Sequence, residues 1–309
     1  MSMLKHSYPG FRRLMQISSD SFFVFVEGFI DHHVFAAIID AKCRNGAVNY
    51  DVRMAETLPG GSGGKSALLE FFNYLRRRSS LVDKFQGKTT VAFFYLDKDI
   101  DDLRRVKRRS KHIQYTETYE LENYLFLHGD ISKAAAAASC MNIRTVRRQL
   151  GSYALWQLQA ATAWKEWVKL CIFAHCKSCG ERYYSRPKSQ INENFFGDVS
   201  QLMYREHLKN LQSKSGLAKD KFNASFQRCS RSVEKLYLQG QYNRVFKGQW
   251  YAWFLIEDIK RVAGTSRYKT DGLYDNLITH LTTTIDFGGS WADYFWKPLH
   301  VLLSDNSII

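Results

Sequence analysis

The sequence predicts an α/β fold, in which a small parallel sheet covered by helices within residues 1–127 is followed by a mainly α-helical domain within residues 128–309. The first observation is a series of short apolar runs that alternate with segments of helical spacing, the pattern of parallel strands joined by crossover helices. The second is a change after about His128, where helical periodicity prevails and β-branched runs are few. Two domains of ordinary size fit a length of 309 residues.

The individual elements follow from the same patterns. The run FFVFV predicts a buried first strand, and apolar residues at helical spacing predict a helix from Asp31 to about Lys42. The next segments predict, in order, a second strand within 47–55, a helix over 67–77, a third strand over 91–96, and a short fourth strand and a helix within 111–126. Later segments, such as the alanine run at 134–138, are typical of helices.

The charge balance favours a polyanionic partner, with nucleic acid as the leading candidate. Lys and Arg number 44 against 30 Asp and Glu, a formal net charge of +14. A basic surface that only keeps the protein soluble, or docks it on an acidic protein, is the alternative. The N-terminal segment has no apolar signal region and no stretch reaches the length of a membrane span, so we expect a cytoplasmic protein without a membrane partner. The six cysteines are expected to be free thiols.

Acidic residues follow two of the predicted strands directly. Glu27 comes after FFVFV, and Asp97 and Asp99 come after VAFFYL. The carboxyl ends of parallel strands meet at one edge of a sheet, where sites form, and alternate positions of an extended stretch point the same way. Carboxylates without histidine favour Mg²⁺ or Mn²⁺, and a nearby Glu would be left for proton transfer. Turn formation at strand ends is the plainer interpretation of each motif taken alone.

These residues resemble a known family. Glu27 in FVEGFID and Asp97-x-Asp99 in FFYLDKD are similar to the Toprim domain of topoisomerases, primases and OLD nucleases. The segment YTETYELENYLF resembles the signature of a Toprim-like family whose best-known members are the AriB effectors of the PARIS anti-phage system. The resemblance covers residues from roughly 20 to 127.

The resemblance implies a Mg²⁺-dependent nuclease that cleaves host tRNA and stops phage propagation. It implies a partner, an ABC/SMC-type ATPase (AriA-like), that holds the effector inactive until a viral trigger protein releases it. Toprim nucleases commonly work as dimers, so a homodimer is expected. By position, Glu27 would transfer protons and Asp97 and Asp99 would bind metal. Further acidic residues are implied as candidates for a second metal, namely Asp31, Glu120 and Glu122, with Asp101 as a less favoured one that could instead cap a helix.

A basic run follows the acidic group. Its cations are Arg104, Arg105, Lys107, Arg108, Arg109 and Lys111. They would offset the acidic centre before a polyanion approaches, although a solvated helix face is the usual role of such a run. A second set at helical spacing, Arg144, Arg147 and Arg148, could extend this surface or form an ordinary basic helix.

A glycine-rich stretch, LPGGSGGKSALLEFF, raises the alternative of a phosphate-loop nucleotide hydrolase. The loop motif requires glycine five residues before its Gly-Lys-Ser, and Pro59 stands at that position. We therefore expect a strand-to-helix connection in which Lys65 holds a substrate phosphate.

Other interpretations stay open at the sequence level. Cys171, His175, Cys176 and Cys179 could bind zinc, although only one Cys-x-x-Cys is present and free thiols are the default. The aromatic residues of QWYAWFLIEDI, at 250, 251, 253 and 254, are expected in a helix core rather than in a base-stacking surface. A nuclease acting on DNA, and a non-catalytic module that binds nucleic acid or the ATPase, remain alternatives to the RNA-cleaving enzyme.

Overall fold

The protein divides into two compact units. A computed structural model describes residues 7–43, 48–59, 63–179, 191–192, 197–263 and 272–309. Unit 1 comprises Met1–Lys98, Lys107–Thr116 and Asp286–Ile309, and unit 2 comprises Asp99–Val106 and Glu117–Ile285. Each unit is built from segments that are separated in the chain.

The regular elements of the described residues are five strands and fourteen α-helices. The strands are β1 Phe22–Val26, β2 Tyr50–Met54, β3 Val82–Phe85, β4 Lys88–Leu96 and β5 Ile113–Tyr115. The helices are α1 Tyr8–Ile17, α2 Phe29–Lys42, α3 Gly64–Arg77, α4 Asp101–Arg104, α5 Glu122–His128, α6 Ile131–Ser139, α7 Ile143–Leu150, α8 Tyr153–Ala163, α9 Lys165–Cys176, α10 Gln201–Ser215, α11 Lys219–Leu238, α12 Gly248–Ala263, α13 Leu273–Thr283 and α14 Asp293–Asp305.

Unit 1 contains the sheet. Its order is β2-β1-β4-β3, and β5 pairs with β4 as well. The strands β2, β1, β4 and β5 are parallel, whereas β3 is antiparallel to β4. In register, Phe25 of β1 lies opposite Phe94 of β4. The carboxyl ends of β1 and β4 therefore lie side by side at one edge of the sheet.

Helices cover both faces of this sheet. On one face, Phe25 and Phe94 stack with ring centroids 4.9 Å apart and contact Phe71 of α3. On the other, the ring of Tyr95 stacks on Phe35 of α2 at 3.8 Å. The alternating side chains of β4 thus enter two apolar layers, which is why that strand is apolar along its length.

The C-terminal helix α14 belongs to the second of these layers. Phe295 is fully buried against the rings of Phe35 and Tyr95, and the Tyr95 hydroxyl donates to the Phe295 carbonyl at 2.9 Å. Tyr294 donates to the carbonyl of Tyr115 in β5 at 2.8 Å. The last residues of the chain therefore complete unit 1.

Unit 2 is helical in its described residues. Its core is rich in tryptophan: Trp164 packs on Phe254, with ring centroids 4.5 Å apart, and on Trp250 at 5.4 Å. Trp164 and Trp167 are both fully buried. The aromatic residues of α12 thus serve as core, as predicted for Trp250, Tyr251 and Phe254, whereas Trp253 is half-buried.

The predicted α/β fold with a small sheet and many helices is confirmed in this coarse form, although the sheet is only mostly parallel. The first strand is found where it was predicted, and the third begins earlier, at Lys88. The antiparallel strand β3, joined to β4 through Gln86 and Gly87, was not predicted. The expected division at residues 127 and 128 differs from the compact units, which separate 99–106 and 117–127 from the sheet and return 286–309 to it. Within the described residues, no helix combines the length and apolar character that crossing a membrane requires.

Candidate metal and nucleic-acid sites

Two of the predicted acidic residues meet in unit 1. Glu27 follows the last residue of β1 and Asp97 follows the last residue of β4, on neighbouring parallel strands. The backbone N–H of Asp97 donates to Glu27 Oε1 at 2.9 Å. A hydrogen bond to a carboxylate is charge-assisted, so this contact fixes the orientation of the Glu27 side chain. The sheet therefore brings these two residues together as the sequence predicted.

Asp31 lies in the first turn of α2 and serves the start of that helix. Its Oδ2 accepts from the backbone N–H of Gly28, the N-cap residue, at 2.8 Å. This contact gives Asp31 a structural role close to Glu27 in the chain. Its implied role as a metal ligand stays a prediction.

One feature beside Glu27 was not predicted. Phe29, the first residue of α2, is 67% exposed, and its ring centroid lies 4.4 Å from that of His33 in an edge-on arrangement. Burial and the neighbouring His33 lower the pKa of His32. A sequence signal existed, since FIDHH places an aromatic residue and two histidines on one short helical segment.

Asp99 lies in unit 2, and its backbone is not extended as predicted. Its φ is +49°, in the left-handed region that Asp tolerates better than most residues. Its N–H donates to the carbonyl of Tyr119 at 2.7 Å. The prediction that Asp97 and Asp99 occupy alternate positions of an extended strand and point the same way is therefore wrong, since β4 ends at Leu96.

Glu120 is a buried carboxylate of unit 2. It is 4% exposed and accepts from the backbone N–H of Gln249, in the first turn of α12, at 2.8 Å. Lys247 Nζ lies 3.7 Å from Glu120 Oε2. Burial, together with the negative charge of Glu122, raises the pKa of Glu120 well above its usual value. A carboxylate at a helix N-terminus is also a common structural arrangement, so Glu120 anchors α12 whatever else it does.

Other residues of the ELENYL segment also form hydrogen bonds, two of them to residues at or just before the start of α12. Glu122 Oε1 accepts from Gln249 Nε2 at 3.1 Å. Asn123 is fully buried and donates to the Phe246 carbonyl at 3.0 Å. The Tyr124 hydroxyl accepts from the backbone N–H of Glu117 at 2.9 Å. This hydrogen-bonded packing is a physical reason for the polar residues of the segment, alongside the ligand roles that the resemblance implies.

The basic run does not form one helix face. The last residue of helix α4 is Arg104, and the C-cap residue that follows, Arg105, has a φ of +58°. Arg104 and Arg105 are exposed residues of unit 2, whereas residues 107–111 belong to unit 1. In unit 1, Arg108 donates to Asn73 Oδ1 at 3.0 Å, and Lys107 Nζ lies 4.6 Å from the centre of the Tyr115 ring. Arg109 and Lys111 are exposed.

Asp101 and Asp102 begin α4. Asp101 is the first residue of the helix rather than its N-cap, which is Ile100. Asp102 Oδ2 accepts from Arg244 at 2.7 Å within unit 2. The alternative role of Asp101 as the N-cap is therefore wrong, because Ile100 occupies that position.

Lys65 lies in the first turn of α3, after two glycines with positive φ, Gly63 and Gly64. Residues 60–62 of the glycine-rich loop lie outside the described part of the chain. The described residues thus agree with a connection that leads into a helix. The predicted phosphate contact of Lys65 stays a prediction.

The remaining candidates lie in unit 2. Cys171 and Cys179 are buried free thiols, and Cys176 is an exposed one. Burial and the Arg104 charge lower the pKa of His175. Within the described ranges, no three His, Cys, Asp or Glu side chains lie close enough together to hold a metal ion. Helix α7 carries the second basic set, of which Arg147 lies 3.9 Å from Asp130.

The donor set of unit 1 fits a hard divalent cation. Glu27 and Asp97 offer carboxylate oxygens alone, which suit Mg²⁺ or Mn²⁺ rather than zinc. Mg²⁺ at phosphoryl-transfer sites is commonly held by one or two carboxylates, while water and substrate phosphates complete its shell. In comparisons with known proteins, no family model and no curated protein sequence matched this chain.

Proposed function

We propose that this chain is a Mg²⁺-dependent nuclease of the Toprim type that cleaves RNA, with tRNA as its substrate. The observation that carries the proposal is the bond from the Asp97 N–H to Glu27 Oε1, at the adjacent carboxyl ends of two parallel strands. The order of the Glu, Asp-x-Asp and ELENYL segments and the net charge of +14 support it. The choice of tRNA depends on the resemblance to the anti-phage effectors.

Each of the two residues has a distinct role in this proposal. Asp97 holds the metal ion, which when bound polarises the scissile phosphate. Glu27 moves a proton at the phosphodiester, acting on the attacking or leaving oxygen. The Asp97 N–H keeps the Glu27 carboxylate in one orientation, so that the proton is transferred from a fixed position. Asp99, Glu120 and Glu122 lie in unit 2, and their ligand roles remain predictions of the resemblance.

The biological role follows from the same resemblance. We propose that an ABC/SMC-type ATPase sequesters the chain in an inactive complex and that a viral trigger releases it as a homodimer in the cytoplasm. Co-expression with the ATPase should suppress toxicity, and the free chain should elute from gel filtration as a dimer. A free chain that stays monomeric while it cleaves RNA would exclude the dimer.

Cleavage assays with matched variants test the catalytic assignment. Glu27→Gln should reduce Mg²⁺-dependent cleavage of total RNA by about 100-fold or more, the contribution typical of a positioned acid-base group. Asp97→Asn should also reduce it strongly, because the variant loses a ligand of the metal ion. Glu70→Gln removes an exposed carboxylate of the same unit and should leave the rate unchanged. Parallel reactions with plasmid DNA distinguish a ribonuclease from a deoxyribonuclease, and circular dichroism confirms that each variant is folded.

The outcomes separate the alternatives. Unchanged cleavage in both variants would remove Glu27 and Asp97 from the reaction. RNA binding without cleavage by the native protein, at any concentration of Mg²⁺ or Mn²⁺, would indicate a binding module. ATP turnover by the isolated chain that Lys65→Ala abolishes would instead favour the phosphate-loop hydrolase.

A further inference from the structure

Helix α11 of unit 2 buries one side and exposes the other. Phe222 and Val233 are buried, and the ring of Phe173 in α9 lies 5.0 Å from that of Phe222 and 5.4 Å from that of Phe226. These contacts set the orientation of the helix about its axis. The residues on the opposite side face solvent.

The opposite side carries a line of cations. At 100° per residue, four basic residues fall within a sector of about 80°, opposite the buried side. All four are exposed. We call this set the α11 cationic stripe, and it consists of Lys221, Arg228, Arg231 and Lys235.

Ala224 is the one other residue of α11 inside this sector. Ser232 and Ser225 lie within about 40° of one edge of it, and Leu238 lies about 20° from the other edge. The helix has two acidic residues. Asp220 lies in its first turn, about 20° outside the cationic sector, and Glu234 lies about 60° outside it. Glu234 pairs with Lys165 at 3.1 Å and with Lys169 at 2.5 Å. Among the residues that the structure describes, no member of the stripe forms an ion pair.

Such a face differs from an ordinary solvated helix surface. Solvated faces usually mix acidic and basic residues, because like charges three or four positions apart destabilise a helix. Arg228, Arg231 and Lys235 have that unfavourable spacing. An external polyanion would relieve the repulsion, and Ala224, which lies between the cations, is too small to obstruct its backbone. From Lys221 to Lys235 the stripe is about 21 Å long, at 1.5 Å per residue, enough to meet several consecutive phosphates.

We propose that the α11 cationic stripe binds the phosphodiester backbone of the RNA substrate. The proposal rests on the proposed nuclease function for the identity of that RNA. The stripe supplies affinity without base specificity, because backbone phosphates carry no sequence information. Charge complementarity over the length of the helix favours RNA over a compact anion.

Binding of a fluorescent RNA hairpin to the full chain tests this proposal, measured by anisotropy in EDTA so that no cleavage occurs. The stripe variant changes its four residues to Gln. The control variant removes the same charge at four exposed cations elsewhere, Arg77, Lys84, Lys133 and Lys297. For each phosphate that the protein no longer neutralises, the slope of log K against log salt should flatten by about 0.7 to 0.9. The stripe variant should bind about tenfold or more weakly and flatten this slope by about 3.

Each outcome supports or overturns the proposal that the α11 cationic stripe binds RNA. Native affinity and slope in the stripe variant overturn it, and so does an equal weakening in the control variant, which would show an effect of net charge alone. Native protein that ignores RNA but binds phosphatidylserine vesicles through the stripe would assign the surface to a membrane instead. The Asp97→Asn variant tests binding and cleavage independently. If it binds RNA but does not cleave it, both the stripe proposal and the nuclease proposal are supported. Stripe-dependent binding by a native protein that cleaves nothing retains the stripe and refutes the nuclease.

Discussion

Truncating Phe295 tests whether the C-terminal helix is part of the sheet unit. The fully buried Phe295 ring lies 5.2 Å from that of Phe35 and 5.9 Å from that of Tyr95, measured between centroids. Phe295→Ala would leave a cavity between α14 and the sheet. The backbone carbonyl of Phe295, which accepts from Tyr95, would remain.

The burial of the Phe295 ring sets the loss of folding free energy expected for Phe295→Ala. An aromatic side chain buries about 150–250 Å², and at about 25 cal/mol per Å² this corresponds to about 4–6 kcal/mol. This figure is an upper bound, because the unfolded chain already buries part of that area. Measured truncations of buried Phe cost about 3–5 kcal/mol. We expect about 3–5 kcal/mol for Phe295→Ala, a large share of a typical folding free energy of about 5–15 kcal/mol.

The assay is hydrogen exchange of peptides covering β1 and β4, followed in urea, because these strands report on unit 1 specifically. Lys297→Ala on the same helix is the control, since its ion pair with Asp293 is exposed to solvent and such pairs contribute little to stability. A loss below about 1 kcal/mol for Phe295→Ala, or one equal to the control, would refute the packing described for α14. A chain ending at residue 127 should fail to protect β1 and β4, because it lacks α14.

Two further predictions concern unit 2. Gly248→Ala should destabilise the protein by about 1–3 kcal/mol in urea unfolding, because an added Cβ would lie 2.4 Å from the backbone nitrogen of Asn123. Gly288→Ala is the control and should cost less, because its Cβ would meet only a side-chain oxygen, at 3.2 Å. Equal losses in the two variants would contradict the predicted clash at Gly248. Asp258→Asn should gain stability relative to the native protein as the pH rises from about 4 to 7, because burial raises the pKa of Asp258 despite the hydrogen bond from Trp156. When the pKa of a carboxyl is higher in the folded than in the unfolded state, the native protein loses stability as the pH rises and that carboxyl ionises. If the difference in thermal stability between the two proteins did not change with pH, burial would not raise the pKa of Asp258.

The local elements followed from patterns that the chain carries in its own neighbourhood. FFVFV was predicted as a buried strand and forms β1, and the apolar spacing after Asp31 matches α2. That helix begins at Phe29, two residues before its predicted start, and the Gly28 N–H donates to Asp31 in its first turn. Strand β3 was missed because Val82–Phe85 is short and half-buried and owes its pairing to β4 rather than to a strong pattern of its own.

The sequence by itself determined the α/β character of the fold and the position of Glu27 and Asp97 at strand ends, because strand periodicity and the rule for parallel sheets are local or nearly so. Only the tertiary structure decided which segments share a core. Helix α14 returns to the sheet from the far end of the chain, and Glu120 accepts a hydrogen bond from Gln249, 129 residues away. The left-handed backbone of Asp99 was likewise set by its bond to Tyr119. Contacts between residues so distant in the chain depend on packing, and no period or spacing in one sequence encodes them.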